Sequence, residues 1–155
     1  MTTLSLHDPL FRVYAIAAAI MVIKMASMAW LTVYRMTKVK AGFRSPEDAR
    51  RSPYNPTPSG DQLAPNEYVE RVRRIHQNDG ENIPLFLAAG LLFVVAHPPL
   101  WAAQLLLYGY AGTRLLHFAA YVTAQLHDVR AALWTPGSLA ILGMAGYVLV
   151  RALDA

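Results

Sequence analysis

Apolar residues along this chain fall in long blocks. Between residues 10 and 34 only Arg12 and Lys24 are charged, and residues 82–113 and 131–150 contain no Asp, Glu, Lys or Arg. A bilayer core takes about 20 apolar residues per helix, and blocks of this length suit it. The block at 82–113 is interrupted by HPPLW (97–101), so it belongs to two helices joined by a tight turn. The pattern predicts an all-α, integral membrane four-helix bundle. Its spans run over roughly 9–37, 68–96, 100–126 and 130–152, in a single transmembrane domain covering 1–155.

Composition agrees with this. Of the 155 residues, 55% are hydrophobic and 15% charged, against about 25% charged in ordinary soluble domains. The first block is longer than the apolar region of a signal peptide and no small-residue cleavage site follows it, so it is expected to stay in the mature protein. The absence of cysteine excludes disulfides, thiolate metal sites and a cysteine nucleophile, and no metal is expected.

The net charge of +4 is unevenly spread: nine of the fourteen Lys and Arg lie between Arg35 and Arg74. That places the polar loop 38–66 on the cytoplasmic side. No nucleic-acid motif accompanies the basic stretch, so nucleic acid is not an expected partner. SPED (45–48) reads as a helix start, with Ser45 as N-cap and Pro46 in the first helical position. The second span starts near Asn66 and reaches about Val95. At about 1.5 Å per residue it is longer than the hydrocarbon core, so its first three turns project into the cytoplasm or the headgroup region.

Those turns carry ERVRRIHQNDGENIP (70–84). Arg74, Asn78 and Glu81 are spaced i, i+4, i+7 and share one stripe with Glu70, while Arg73 and His76 form an adjacent pair. A solvated, self-paired helix end is one reading of this stretch. The third span offers a second polar face: Arg114, His117 and Tyr121 at i, i+3, i+7 in GTRLLHFAAYV (112–122). An Arg deep in a span needs a partner, and the expected one is Glu81, in a structural ion pair. The predicted topology brings Arg35, Arg73, Arg74, Asn78, Glu81, His117, Tyr121 and Arg130 to one membrane face. Arginine forks suit carboxylates and phosphates, so several of them with one Glu suit a ligand bearing several carboxylates and one amine.

VERVRRIHQNDGENIP (69–84), PED after the first span, GTRLLHFAAY and the Arg of the last turn occur together and in order. In these the chain closely resembles the family of membrane-associated proteins in eicosanoid and glutathione metabolism. It is most similar to the microsomal glutathione transferase branch, with the prostaglandin E synthase branch next. The resemblance implies four-helix protomers assembled as a homotrimer, with glutathione bound between subunits on the cytoplasmic side. It implies that Arg35, Arg73, Arg74, His76, Asn78, Glu81, His117 and Tyr121 contact or frame glutathione as substrate, with Arg35 reaching it from a neighbouring subunit. Arg130 would stabilise the thiolate and Tyr121 could donate to the same sulfur, making these two the expected catalytic residues. A nearby cation lowers the pKa of a thiol, and the thiolate is the nucleophile.

Gln77 stands where the isomerase branch carries Arg, and Ala131 where it carries Ser. The expected activity is therefore conjugation of glutathione to hydrophobic electrophiles entering from the bilayer, a detoxifying reaction, together with reduction of lipid hydroperoxides. Three alternatives stay open: a glutathione-dependent isomerase of oxidised lipids, a non-catalytic membrane scaffold and a small transporter. The membrane is either the endoplasmic reticulum or a bacterial inner membrane.

Overall fold

The computed structural model describes residues 4–154. Helix α1 (Pro9–Val39) begins where the Asp8 carboxylate accepts the Leu10 N–H at 3.1 Å, with Pro9 in its first turn. It ends at Lys40, which takes the left-handed conformation with φ 50°. Helix α2 (Glu67–Val95) starts on Asn66, whose side chain caps the Tyr68 N–H at 3.1 Å. The third rod is α3 (Leu100–Ala103), a π-helical turn (Gln104–Tyr108) and α4 (Gly109–Val122), and the backbone stays right-handed through both junctions. Helix α5 (His127–Leu153) carries Pro136 internally. There is no strand among the described residues, and the all-α architecture expected from the apolar blocks is the one observed.

SPED starts a helix as expected, with Ser45 at the N-cap position and Pro46 in the first helical position, but the element is short. Pro46–Ala49 makes a single 3-10 turn, Ser45 forms no side-chain cap bond, and the chain is extended again at Arg50. Pro53, Pro56 and Pro58 follow closely and deny a longer helix its backbone donors. A second 3-10 turn, Gly60–Leu63, is held by a capping box of Ser59 and Gln62. Asn55 and Gln62 exchange amide hydrogen bonds of 2.7 and 3.1 Å beneath the loop surface. Phe43 N–H donates to the Gln62 carbonyl at 2.9 Å, which ties the loop back to the end of α1.

Helix α1 packs on α2, α4 packs on α5, and α2 also meets α5. The buried stripe of α2 runs Val69, Val72, Ile75, Asp79, Ile83, Phe86, Gly90 and Phe93, steps of three and four that mark one helical face. Phe86 stacks on Tyr110 of α4, with centroids 4.0 Å apart and planes at 3°. At Gly90 the packing leaves no room for a side chain: a Cβ there would lie 3.0 Å from Leu107 and 3.2 Å from the Tyr14 ring. Large apolar side chains face outward, among them Ile16, Ile23 and Trp30 on α1 and Leu139, Leu142 and Leu149 on α5. Helices α1 and α5 are long and apolar enough to cross a membrane.

Candidate functional site

The charged half of α2, the end of α4 and the start of α5 meet at one end of the bundle. Three neighbouring clefts open there. One of about 680 Å³ lies between α1 and α2 and is lined by Arg44, Glu70, Arg73, Arg74, His76 and Gln77 among others. The next, about 340 Å³, is lined by Glu67, Arg71, Arg74, Tyr121 and Arg130. The third, about 210 Å³, is lined by Asn78, His117, Tyr121, His127, Arg130, Ala131 and Trp134. Arg74 joins the first cleft to the second, while Tyr121 and Arg130 join the second to the third.

Carboxylates hold Arg73 and Arg74, and an aromatic ring holds Arg130. Arg73 pairs with Glu70, donates to the Gly42 carbonyl at 2.6 Å and touches the Met36 sulfur. Gly42 can present that carbonyl because its φ is +75°, and a Cβ there would meet Val69 at 3.1 Å. Arg74 pairs with Glu67, and this hydrogen bond holds the exposed Glu67 carboxyl below its ordinary range. Arg130 lays its guanidinium over the Tyr121 ring, 4.3 Å from the centroid, and its Nε has no protein partner. Tyr121 in turn meets His117 edge-on at 5.4 Å. The result is a cleft rich in donors with one cation fixed on an aromatic face, an arrangement that stabilises a bound anion.

Behind the clefts lies a buried charge network. Arg114, 1% exposed, donates from Nη2 to Asp79 at 3.0 Å and to the Asn78 side-chain oxygen at 2.6 Å. Lys24 of α1 pairs with the same Asp79 oxygen. The expected Glu81–Arg114 pair is therefore replaced by Asp79–Arg114. Glu81 lies about 200° around the helix from Asp79, is exposed, and accepts from Gln77 at 3.2 Å. On the next turn Trp134 donates from its indole nitrogen to Asn82 at 3.2 Å.

Of the residues singled out in the sequence, the clefts collect Arg73, Arg74, His76, Asn78, His117, Tyr121 and Arg130. Two stand apart. Arg35 is buried, donates to the Tyr68 carbonyl at 2.7 Å and stacks on the Tyr68 ring, so within its own protomer it lines none of these clefts. Glu81 lines none of them either. Sequence reasoning missed Lys24, Asp79, Glu67 and Trp134. A signal for the first two was present: Lys24 falls in helical step with Met21 and Met28, and Asp79 with Ile75 and Ile83.

Fold and site together define an all-helical membrane protein with an arginine- and tyrosine-lined cleft at one end. Residues 14–150 match the MAPEG family, and the chain belongs to it. It is 38% identical over 120 residues to a Sus scrofa protein named microsomal glutathione S-transferase 1, covering 76% of this chain and 75% of that one. The Homo sapiens protein of that name is 35% identical over 141 residues, covering 90% and 89%. Homo sapiens prostaglandin E synthase is 28% identical over 151 residues, covering 97% and 95%.

Proposed function

We propose that this chain is a membrane-bound glutathione transferase that ionises the glutathione thiol and conjugates it to hydrophobic electrophiles. The observation that carries the reading is Arg130, seated over Tyr121 in a cleft that also holds Asn78 and His117. An ordinary thiol has a pKa near ~8.5, and a fixed cation beside the sulfur lowers it. The Tyr121 hydroxyl is a second donor for the same sulfur. The thiolate then attacks the electrophilic carbon: a C–S bond forms and, on a chloro-nitroaromatic acceptor, the C–Cl bond breaks and chloride leaves. Arg73 and Arg74, on the adjoining clefts, suit the carboxylates of the tripeptide. To reach a glutathione carboxylate Arg74 must leave or share Glu67.

Higher identity to the relatives named as glutathione transferases than to those named as prostaglandin E synthases favours conjugation over isomerisation. Gln77 and Ala131, departures from the isomerase pattern, favour it too. In this reading all four rods cross the bilayer and the basic loop 38–66 and the clefts face the cytoplasm. The protomers assemble as a homotrimer, in which Arg35 and Glu81 act at a neighbour's site or at a subunit boundary. The acceptor arrives through the lipid, where oily electrophiles concentrate.

The test is an ultraviolet difference spectrum of purified protein titrated with glutathione near neutral pH. A thiolate band that is lost in Arg130→Ala, with conjugation of a chloro-nitroaromatic acceptor lost alongside it, is the expected result. Glutathione binding with neither band nor turnover would overturn the transferase reading in favour of a scaffold.

A further inference from the structure

Two cations share one carboxylate oxygen inside this bundle. Lys24 Nζ and Arg114 Nη2 both donate to Asp79 Oδ1, while Asp79 Oδ2 and Arg114 Nε and Nη1 have no hydrogen-bond partner. An arginine with a carboxylate to itself prefers a fork, two parallel bonds to two oxygens. Arg114 does not adopt it. It presents one nitrogen to Asp79, and the second proton of that nitrogen goes to Asn78 Oδ1 at 2.6 Å. Lys24 engages that same oxygen, and Oδ2 is left to neither cation. The Lys24 ammonium occupies Asp79 from the α1 side, and Arg114 is left turned along α2 toward Asn78.

That bond decides the orientation of the Asn78 amide. A guanidinium only donates, so the amide oxygen faces it and the amide nitrogen faces away. Asn78 lines the cleft of about 210 Å³ beside Tyr121 and Arg130, and its Nδ2 meets no acceptor among the described residues. A side chain that could offer either an acceptor or a donor to the cleft is thereby committed to donating, as Arg130 is.

We propose that Lys24, Asp79 and Arg114 form a positioning relay that fixes Asn78 as a hydrogen-bond donor to an anionic group of the thiol substrate, with Lys24 the member that keeps Arg114 on Asn78. The relay stands on the geometry, and the identity of its ligand rests on the glutathione reading above. None of the three touches the substrate. Without Lys24, Arg114 closes into a fork on Asp79 and lets go of Asn78, whose amide is then free to turn.

The test uses the full chain in lipid nanodiscs, with asparagine side chains labelled with nitrogen-15. The Nδ2 cross-peaks of Asn78 are assigned by their loss in Asn78→Ala. In the absence of ligand they shift in Lys24→Met and return in Lys24→Arg. Should Lys24→Met not fold, Lys24→Gln is read in the same way. Glutathione then binds about tenfold more weakly to Lys24→Met and to Asn78→Ala, and the double variant is no weaker than Asn78→Ala alone. A merely structural lysine would lower the melting temperature without that non-additivity. Cross-peaks that stay put, or two losses that multiply in the double variant, overturn the relay. If the wild-type protein binds no glutathione, the cross-peaks still decide the relay and only the functional reading falls.

Discussion

The guanidinium of Arg130 lies over the ring of Tyr121, 4.3 Å from its centre, although one residue is in the last turn of α4 and the other in the first turn of α5. The contact crosses the turn at 123–126 and sets the cation at the junction of two clefts. Arg130→Ala is expected to lower turnover by about 10²-fold, the usual cost of removing one donor to a developing or bound anion, while glutathione affinity changes little. Tyr121→Phe keeps the ring under the guanidinium and removes only the hydroxyl. Near wild-type turnover in Tyr121→Phe would assign the tyrosine to positioning, and a loss like that of Arg130→Ala would assign its hydroxyl to the sulfur. Steady-state rates with a chloro-nitroaromatic acceptor separate the two.

The partner of Arg114 makes a sharp contrast between two acidic residues two positions apart. Asp79→Ala leaves two buried cations without their carboxylate, and breaking a buried pair from one side costs about 3–5 kcal/mol. Glu81→Ala removes a side chain that is exposed within its protomer and holds only the Gln77 hydrogen bond there, a loss of about 1 kcal/mol. Thermal unfolding in one detergent should show a much larger drop in melting temperature for the first than for the second. Equal drops would contradict the network described here.

Gly42 is constrained twice, by its left-handed backbone and by Val69 against the place of a Cβ. Gly42→Ala is expected to cost about 1–2 kcal/mol from the backbone alone. It also displaces the carbonyl that anchors Arg73, so glutathione binding should weaken along with stability. Calorimetric titration of a variant that still folds measures the second effect directly.

Glu67 provides a pH signature. Its carboxyl is held low in the folded protein by the Arg74 hydrogen bond, so the folded state favours the ionised form more than the unfolded chain does. That contribution is complete above the unfolded carboxyl's pKa and is lost as pH falls through the folded value. The pair is exposed, so the effect is small. Wild type should melt slightly above Glu67→Gln at neutral pH, and the two curves should merge in acid. A gap that persists or widens in acid would mean that Glu67 contributes through something other than its charge.

How much of this was legible in the sequence depended on which helical face was considered. The apolar blocks marked all four rods, and Asp8-Pro9 and Asn66 stand at helix starts with the caps their residue types favour. The arginines and tyrosine of the clefts were legible because charges embedded in oily sequence require a reason. Arg114 found the wrong partner because depth along the helix was weighed without rotation around it. Two residues of sequence carry Glu81 to the opposite face, whereas Asp79 keeps step with Ile75, Ile83 and Phe86. Lys24 was passed over as one of two charges in the first block, although the spacing Met21, Lys24, Met28 put it on the buried stripe. Arg35 was brought into the site by topology alone, and its bond to Tyr68 depends on how α1 packs on the first turn of α2, which no local pattern announces.

The sharing of Asp79 by Lys24 and Arg114 also bears on the order in which the molecule is made. Helix α1 leaves the ribosome first and carries an ammonium group toward the bilayer before its counter-charge has been synthesised. Once α2 follows, the hairpin of α1 and α2 is neutral at that depth, since Lys24 and Asp79 cancel. Arg114 arrives only with α4, one turn of chain after the hairpin, and must find an acceptor already half engaged. In the proposed four-span topology the third rod thus brings a further positive charge to a hairpin whose own buried charges already cancel, and it settles where Asp79 already stands, before α5 follows.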